Sequence, residues 1–236
     1  MGDEKENLAG RLARTFYTEQ PRQLALSLTD GEKQVDTWHR RATVDDYARH
    51  LRPESAHGAG GLGIFAGFMP KHGKARTLLT KWAVLDFDHH GPAGLADFLG
   101  VLHDHRLAPL VNGGTRGRGA HVWLLLSDPC SVAQAVRVLG FLGGVARELG
   151  FPMPELRPSG AEVGVFLPYR GALLDDLGVN PLVDAQTGAV IPLSELDGAP
   201  RTARQDFLRL KDKKSPRLFL QQRAPAPPTS WSTSAA

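Results

Sequence analysis

The chain has 236 residues, of which 42% are hydrophobic and 22% are charged, and its formal net charge is +3. This length allows one sizeable hydrophobic core or two small ones, and the composition is that of an ordinary globular protein. The longest apolar stretches fall short of the ~20 residues that a membrane span needs, and the charged N-terminus predicts no export signal. We therefore expect no membrane partner.

The chain contains one cysteine, Cys130, which excludes a disulfide framework and a cysteine-based zinc module. We expect a cytoplasmic protein, since a reducing compartment fits this cysteine usage. The weakly positive charge is compatible with an anionic partner but does not require one. A basic run near the C-terminus is most simply interpreted as a solvated tail, and it consists of Lys211, Lys213, Lys214 and Arg217.

The first 80 residues predict a smaller, mixed α/β part. Its expected elements follow from weak helical periodicity, the turn signal Asp30-Gly31 and the capping-box pattern that begins at Thr43. In chain order they are a helix over 6–17, a hairpin of strands 24–28 and 34–39, a short helix over 43–51, a glycine-rich loop at 58–61, a strand over 63–68 and a turn at 71–74.

The next stretch has a more regular pattern. The predicted elements are strand 81–88, amphipathic helix 93–105, strand 108–112, a loop at 113–119, strand 120–126, helix 132–149, strand 153–157 and strand 163–167. Residues 81–157 thus have the order β-α-β-β-α-β, which is typical of a ferredoxin-like fold in the α+β class. Periodicity fades after residue 200, so residues 201–236 are predicted to be a basic, Pro-rich and partly disordered tail.

Two aspartates stand at the end of the first strand of this unit, in Asp86-Phe87-Asp88. Side chains two residues apart on a strand share a face, so the two carboxylates are predicted to project together. Such a pair repels unless a cation lies between its members, and oxygen ligands suit Mg²⁺ or Mn²⁺. The motif alone is also compatible with a strand end that meets solvent.

A loop rich in glycine and arginine follows the second strand and consists of Thr115, Arg116, Gly117, Arg118 and Gly119, with His121 opening the next strand. Glycines let backbone N–H groups turn toward a ligand, and arginines offer forked donors to phosphate. The pattern predicts a cradle for a triphosphate. A flexible hairpin with solvated arginines is the alternative.

Topology brings these two motifs together. In a ferredoxin-like sheet the first and third strands are antiparallel neighbours, so Asp86 and Asp88 would lie beside His121. Glu155 on the fourth strand is the candidate third acid, ahead of Glu162. Arg157 and Arg170 are candidate phosphate ligands, although the Glu155 and Arg157 side chains are also compatible with a plain surface ion pair.

Three blocks in this order resemble the archaeo-eukaryotic primase superfamily, in its primase-polymerase branch. They are 83–88 with the two aspartates, 115–123 with the glycine-arginine loop and His121, and 155–158 together with 166–168. Residues 178–184 also resemble the segment that follows in such proteins. The chain departs from the pattern at Ser159-Gly160, where many relatives carry lysine or glutamine, and at 162–164, where some carry asparagine.

The resemblance implies one catalytic domain over 1–200, with an N-terminal α/β part over 1–80 packed against an RRM-like core over 81–200. It implies that Asp86, Asp88 and Glu155 hold two Mg²⁺ or Mn²⁺ ions and that the glycine-arginine loop contacts the incoming nucleotide. The implied activity is that of a DNA primase or DNA polymerase, which uses nucleoside triphosphates on single-stranded DNA or a primer-template. A replication, repair or defence protein is a further expected partner.

Two other functions compete with this interpretation. A non-catalytic, RRM-like module would bind single-stranded nucleic acid by stacking bases on exposed aromatics, but here the corresponding face carries carboxylates. A replication-initiation nuclease needs two histidines on one strand face and a tyrosine nucleophile. His89 and His90 are adjacent and would point to opposite faces, and Tyr169 stands alone.

Overall fold

The structure is a computed structural model, and it describes residues 2–16, 23–29, 32–38, 43–52, 59–65, 77–113, 119–159, 164–173 and 175–221. Over these residues the protein is of the mixed α+β class, and its strands form two antiparallel sheets. None of the described helices is long and apolar enough to cross a membrane.

The elements alternate along the chain. The described helices are α1 (Gly2–Phe16), α2 (Val44–His50), α3 (Ala96–Asp104), α4 (Val132–Glu148), α5 (Arg204–Leu208) and α6 (Pro216–Gln221), with 3₁₀ turns at Pro92–Leu95 and Leu193–Gly198. The described strands are β1 (Gln23–Thr29), β2 (Glu32–Trp38), β3 (Ala59–Phe65), β4 (Leu79–Phe87), β5 (Pro109–Gly113), β6 (Ala120–Ser131), β7 (Glu155–Arg157), β8 (Gly164–Phe166), β9 (Leu182–Asp184) and β10 (Val190–Ile191).

The larger sheet has the strand order β10-β9-β5-β6-β4-β7. Its central pair, β4 and β6, is antiparallel from Leu79 opposite Ser131 to Phe87 opposite Ala120. Side chains alternate along β4: Leu85 and Phe87 belong to the core beneath α3 and α4, whereas Trp82 and Val84 belong to a second core on the other face. Helices thus cover the sheet face opposite Asp86.

The smaller sheet has the order β2-β1-β3-β8 and packs, with α1 and α2, against the second face of the larger sheet. The predicted hairpin is confirmed by the antiparallel pairing of β1 and β2, and its turn residues lie outside the described part. The capping box is confirmed too: the Thr43 hydroxyl accepts from the Asp46 N–H, and the Thr43 N–H donates to the Asp46 carboxylate. Strand β8 enters this sheet from later in the chain, so residues 1–80 do not build it alone.

Some predicted bounds differ from the structure. The prediction of a loop at 58–61 is wrong from residue 59 on, because residues 59–61 belong to β3. The glycines there accompany a shift in the β1–β3 register, a usual role of strand glycines. Strand β6 also runs five residues past its predicted end at 126. The predicted turn at 71–74 lies outside the described residues.

Part of the segment predicted as a tail is folded onto the core. The Thr202 N–H donates to the carbonyl of Leu125 at 2.7 Å. Helices α5 and α6 follow, and they bury Phe207 and Phe219 against the core that contains α4. Residues 201–221 are therefore structured, and residues 222–236 lie outside the described part. The domain limits at 80 and 200 stay predictions.

Candidate active site

Asp86 lies near the end of β4 with a basic side chain on each side. Its direct partners across the sheet are His121 on β6 and Glu155 on β7. One carboxylate oxygen of Asp86 is 3.3 Å from His121 Nε2, and the other is 3.8 Å from the guanidinium of Arg157. The predicted adjacency of the two motifs is therefore confirmed in the strand register. This carboxylate is mostly buried, with 16% of its side chain exposed.

Glu155 and Arg157 form an ion pair on the edge strand β7. The side chain of Glu155 is 54% exposed, whereas that of Arg157 is 15% exposed. One guanidinium therefore lies between two carboxylates, those of Asp86 and Glu155. The arrangement offsets the repulsion that two neighbouring acids would otherwise have.

Asp88 lies beyond the end of β4, in an exposed turn. Among the described residues, no group of three or more histidine, cysteine or acidic side chains is close enough to hold a metal ion. The donor types nevertheless suit a hard divalent cation, since Asp86, Asp88 and Glu155 all offer carboxylate oxygens. The assignment of these three as metal ligands stays a prediction.

Two buried nitrogens beside Asp86 have no hydrogen-bond partner among the described residues. They are Nδ1 of His121 and Nε of Arg157. Buried polar atoms are rarely left unpaired in folded proteins, so these two nitrogens are atoms for which a ligand or water would supply the missing hydrogen bond. The guanidinium Nε can only donate, which favours an acceptor such as a phosphate oxygen.

Gly119 is the one residue of the predicted phosphate loop that the structure describes, and Thr115, Arg116, Gly117 and Arg118 lie outside the described part. A Cβ atom on Gly119 would be 2.5 Å from the carbonyl oxygen of Phe87. Glycine at this position is therefore explained by close packing of the loop's end against the end of β4. That packing brings the start of β6 directly beside Asp88.

A buried polar network lies beside His121, around its cross-strand neighbour Asn112, and the sequence pattern gives little sign of it. Asn112, opposite His121 in the register of β5 and β6, accepts a hydrogen bond from the indole N–H of Trp123 at 2.8 Å. Its amide nitrogen donates to the carbonyl of Asn180 at 3.3 Å. The one signal in the sequence is that Asn112 is a polar residue in an otherwise apolar strand. The residues that precede it in that strand are buried.

Arg170 lies on the segment after β8 that borders the same core as Trp82 and Trp123. Its carbonyl accepts from the N–H of Val179, and burial lowers the pKa of its guanidinium. His50 fastens this segment to α2, since one ring nitrogen is 2.9 Å from the carbonyl of Pro168. The other accepts from the N–H of Leu62 on β3, so the ring is neutral with its proton on Nε2.

Comparison with known proteins gives structural similarity only. The chain matches no protein-family model and no curated protein sequence. One similar solved structure is the AEP domain of the primase-polymerase of cyanophage S-2L, with 15% identity over 84% of this chain and 97% of that chain and a TM-score of 0.41. Another is the polymerase domain of ligase D from Mycobacterium tuberculosis in complex with DNA, with 12% identity over 94% and 93% of the two chains and a TM-score of 0.46. TM-scores of this size do not by themselves establish a common fold.

Proposed function

We propose that this protein is a template-dependent nucleotidyltransferase, a DNA primase or DNA polymerase that joins nucleotides from nucleoside triphosphates. The observation that carries the proposal is the setting of Asp86. Its carboxylate lies between an imidazole and a guanidinium, each with an unpaired buried nitrogen, where the glycine-arginine loop returns to the sheet. Carboxylates beside phosphate-binding groups are what nucleotidyl transfer requires.

Asp86, Asp88 and Glu155 would hold the Mg²⁺ or Mn²⁺ ions in this proposal. When bound, two such ions activate an attacking hydroxyl and stabilise the leaving pyrophosphate. The donor types of these three side chains fit such ions. A metal ion bound by Glu155 would compete with Arg157 for that carboxylate, and in this proposal the guanidinium of Arg157 would then bind a phosphate instead.

His121 and Arg157 would bind the triphosphate of the incoming nucleotide in this proposal. The unpaired Nε of Arg157 is a donor beside Asp86, whereas the unpaired Nδ1 of His121 donates only in the doubly protonated ring, because Nε2 faces the carboxylate of Asp86. The predicted loop residues Thr115, Arg116, Gly117 and Arg118 would add backbone and guanidinium donors, and Arg170 a further cation. Charged donors to phosphate form strong hydrogen bonds and orient the reacting group without taking part in covalent chemistry.

A ferredoxin-like core is part of the same proposal. Its support is the order β7-β4-β6-β5 within the larger sheet, all antiparallel, with α3 and α4 on one face. In such a core the two central strands carry the site at one end. The other face is covered here by α1, α2 and the smaller sheet, and Asp86 is paired with the edge strand β7, so in this proposal a single-stranded template would approach from that edge.

The deciding experiment is nucleotide incorporation on a single-stranded template with Mg²⁺ or Mn²⁺, with and without a primer. Asp86→Asn keeps the size of the side chain and removes its charge, and we expect incorporation to fall by at least about 10²-fold, as for the loss of one key electrostatic group. Asp97→Asn, an exposed position on α3, is the matched control and should keep full activity.

Two results would contradict the proposal in different ways. Equal activity in the Asp86→Asn and Asp97→Asn variants would overturn the role of Asp86. A wild-type protein that binds single-stranded DNA but incorporates no nucleotide under any of these conditions would instead support the non-catalytic nucleic-acid-binding module.

A further inference from the structure

The positive charge of the chain is concentrated in one folded segment. Residues 204–221 contain six basic and two acidic residues and thus carry a net charge of +4, whereas the whole chain carries +3. The rest of the protein, with the candidate active site, is therefore slightly negative in sum. A polyanion would therefore be attracted more strongly to this segment than to the rest of the protein.

The segment is fixed to the core and is not a loose tail. Phe207 and Leu210 are fully buried before its basic run, and Phe219 is 3% exposed after it. The Phe219 ring stacks on His105 at a centroid distance of 3.5 Å and meets Phe141 edge-on at 5.1 Å. Phe207 and Leu210 thus anchor one end of the basic run, and Phe219 anchors the other. The residues between these anchors are held in place, which lowers the entropy cost of binding a ligand there.

The side chains between the anchors present their charge to solvent. Lys213, Lys214 and Arg217 are exposed, and within the described part of the chain none of them has a carboxylate at ion-pair distance. Lys211 has Asp212 at 3.9 Å. Burial is the main cause that lowers the pKa of His105, and the cations of Arg209 and Lys213 lower it further, whereas the backbone hydrogen bond with Phe219 and the charge of Asp104 raise it.

We propose that Lys211, Lys213, Lys214 and Arg217, here named the C-terminal basic surface, bind the phosphate backbone of single-stranded DNA at a site separate from the active site. The surface lies on the helical layer, because α6 packs against α4, which covers the sheet face opposite Asp86. Lysine and arginine contacts to phosphate give sequence-independent affinity, as a template requires. The choice of DNA as partner rests on the proposed function.

The test is binding of a fluorescein-labelled oligothymidylate, measured by fluorescence anisotropy over a series of KCl concentrations without metal or nucleotide. In Lys213→Gln/Lys214→Gln we expect weaker binding and a salt slope that is shallower by about 1.4, since each phosphate contact with a single strand contributes about 0.7. Arg52→Gln/Arg137→Gln removes the same charge from two exposed positions elsewhere and should keep the wild-type slope.

Equal slopes in the two double variants would overturn the proposal. So would displacement of the oligonucleotide by polyglutamate at equal charge concentration, which would point to an acidic protein partner instead. Arg217→Gln provides a second variant, and far-UV circular dichroism checks that each variant is folded.

The binding test does not depend on catalysis. It contains neither metal nor nucleotide, so the change in salt slope is measured whether or not the protein incorporates nucleotides. If the wild-type protein incorporates no nucleotide, the proposed function is contradicted. The change in salt slope would then still decide whether the C-terminal basic surface binds single-stranded DNA.

Discussion

The backbone of Gly119 lies against the last residues of β4. A Cβ atom there would be 2.5 Å from the carbonyl oxygen of Phe87 and 3.2 Å from the Cα of Asp88. Since both are backbone atoms, they cannot turn away as a side chain would. The start of β6 and the turn that carries Asp88 must therefore separate if any side chain is added, and this separation would move His121 relative to Asp86.

Gly119→Ala is therefore expected to lower both incorporation and stability, the latter by roughly 1–3 kcal/mol as for other overpacked sites. Gly140→Ala is the matched control, because Gly140 lies in α4 and a Cβ there meets nothing within 4 Å. Alanine in a helix is more favourable than glycine by about 0.5–1 kcal/mol, so this variant should be slightly more stable and fully active. Incorporation assays and urea unfolding measure both effects, and an active, stable Gly119→Ala protein would contradict the packing explanation.

At the scale of elements, His50 connects three segments: α2, to which it belongs, β3 through Leu62, and the segment after β8 through Pro168. The pKa of this histidine is lowered from 6.5 to about 4, mainly by burial and to a smaller extent by the charge of Arg170, while the hydrogen bond to Pro168 acts in the opposite direction. Protonation would cost the hydrogen bond that Nδ1 accepts. The unfolded chain therefore binds a proton more readily than the native protein between these two pKa values.

The free energy of unfolding should consequently fall as the pH decreases. The contribution of His50 is complete above about pH 6.5 and is lost progressively down to about pH 4, with about 2 kcal/mol lost between pH 7.5 and pH 5. His50→Gln does not titrate, so its loss over this interval should be smaller than that of the wild type by the same amount. His89→Gln changes an exposed histidine and should keep the wild-type dependence. Parallel curves for wild type and His50→Gln would show that His50 does not cause the effect.

Most of the elements could be predicted because their signals are local. The Thr43 capping box and the helical stripe of α4 are set by neighbours within a few residues, and both agree with the structure. The pairing of Asp86 with His121 could be predicted from strand order alone. Neither the placement of β8 in the smaller sheet nor the contact of Asn112 with Trp123 could be predicted, because both depend on contacts between segments distant in sequence.

At the scale of the whole molecule, one core lies between the two sheets, and an aromatic cluster that joins α1 to the larger sheet is part of it. The Trp123 ring on β6 lies 5.1 Å from that of Phe16 on α1 and 5.8 Å from that of Trp82 on β4, and all three side chains are almost fully buried. The same core contains Leu62 and Ile64 of β3 and Val165 of β8, so the two sheets share it. Strand β8 ties the sheets together a second time, since it belongs to the smaller sheet although it follows β7 in the chain.

We therefore expect the protein to unfold in urea as a single cooperative unit, with tryptophan fluorescence and far-UV circular dichroism changing at the same midpoint. Phe16→Ala removes a ring from the aromatic cluster and should lower the free energy of unfolding by about 3–5 kcal/mol. The fluorescence and circular dichroism midpoints should still coincide. Val44→Ala, at a position 46% exposed on α2, should change it by no more than about 0.5 kcal/mol. Two separate transitions in the wild type would mean that the smaller sheet and the larger sheet unfold independently, and the core that they share would then not couple them.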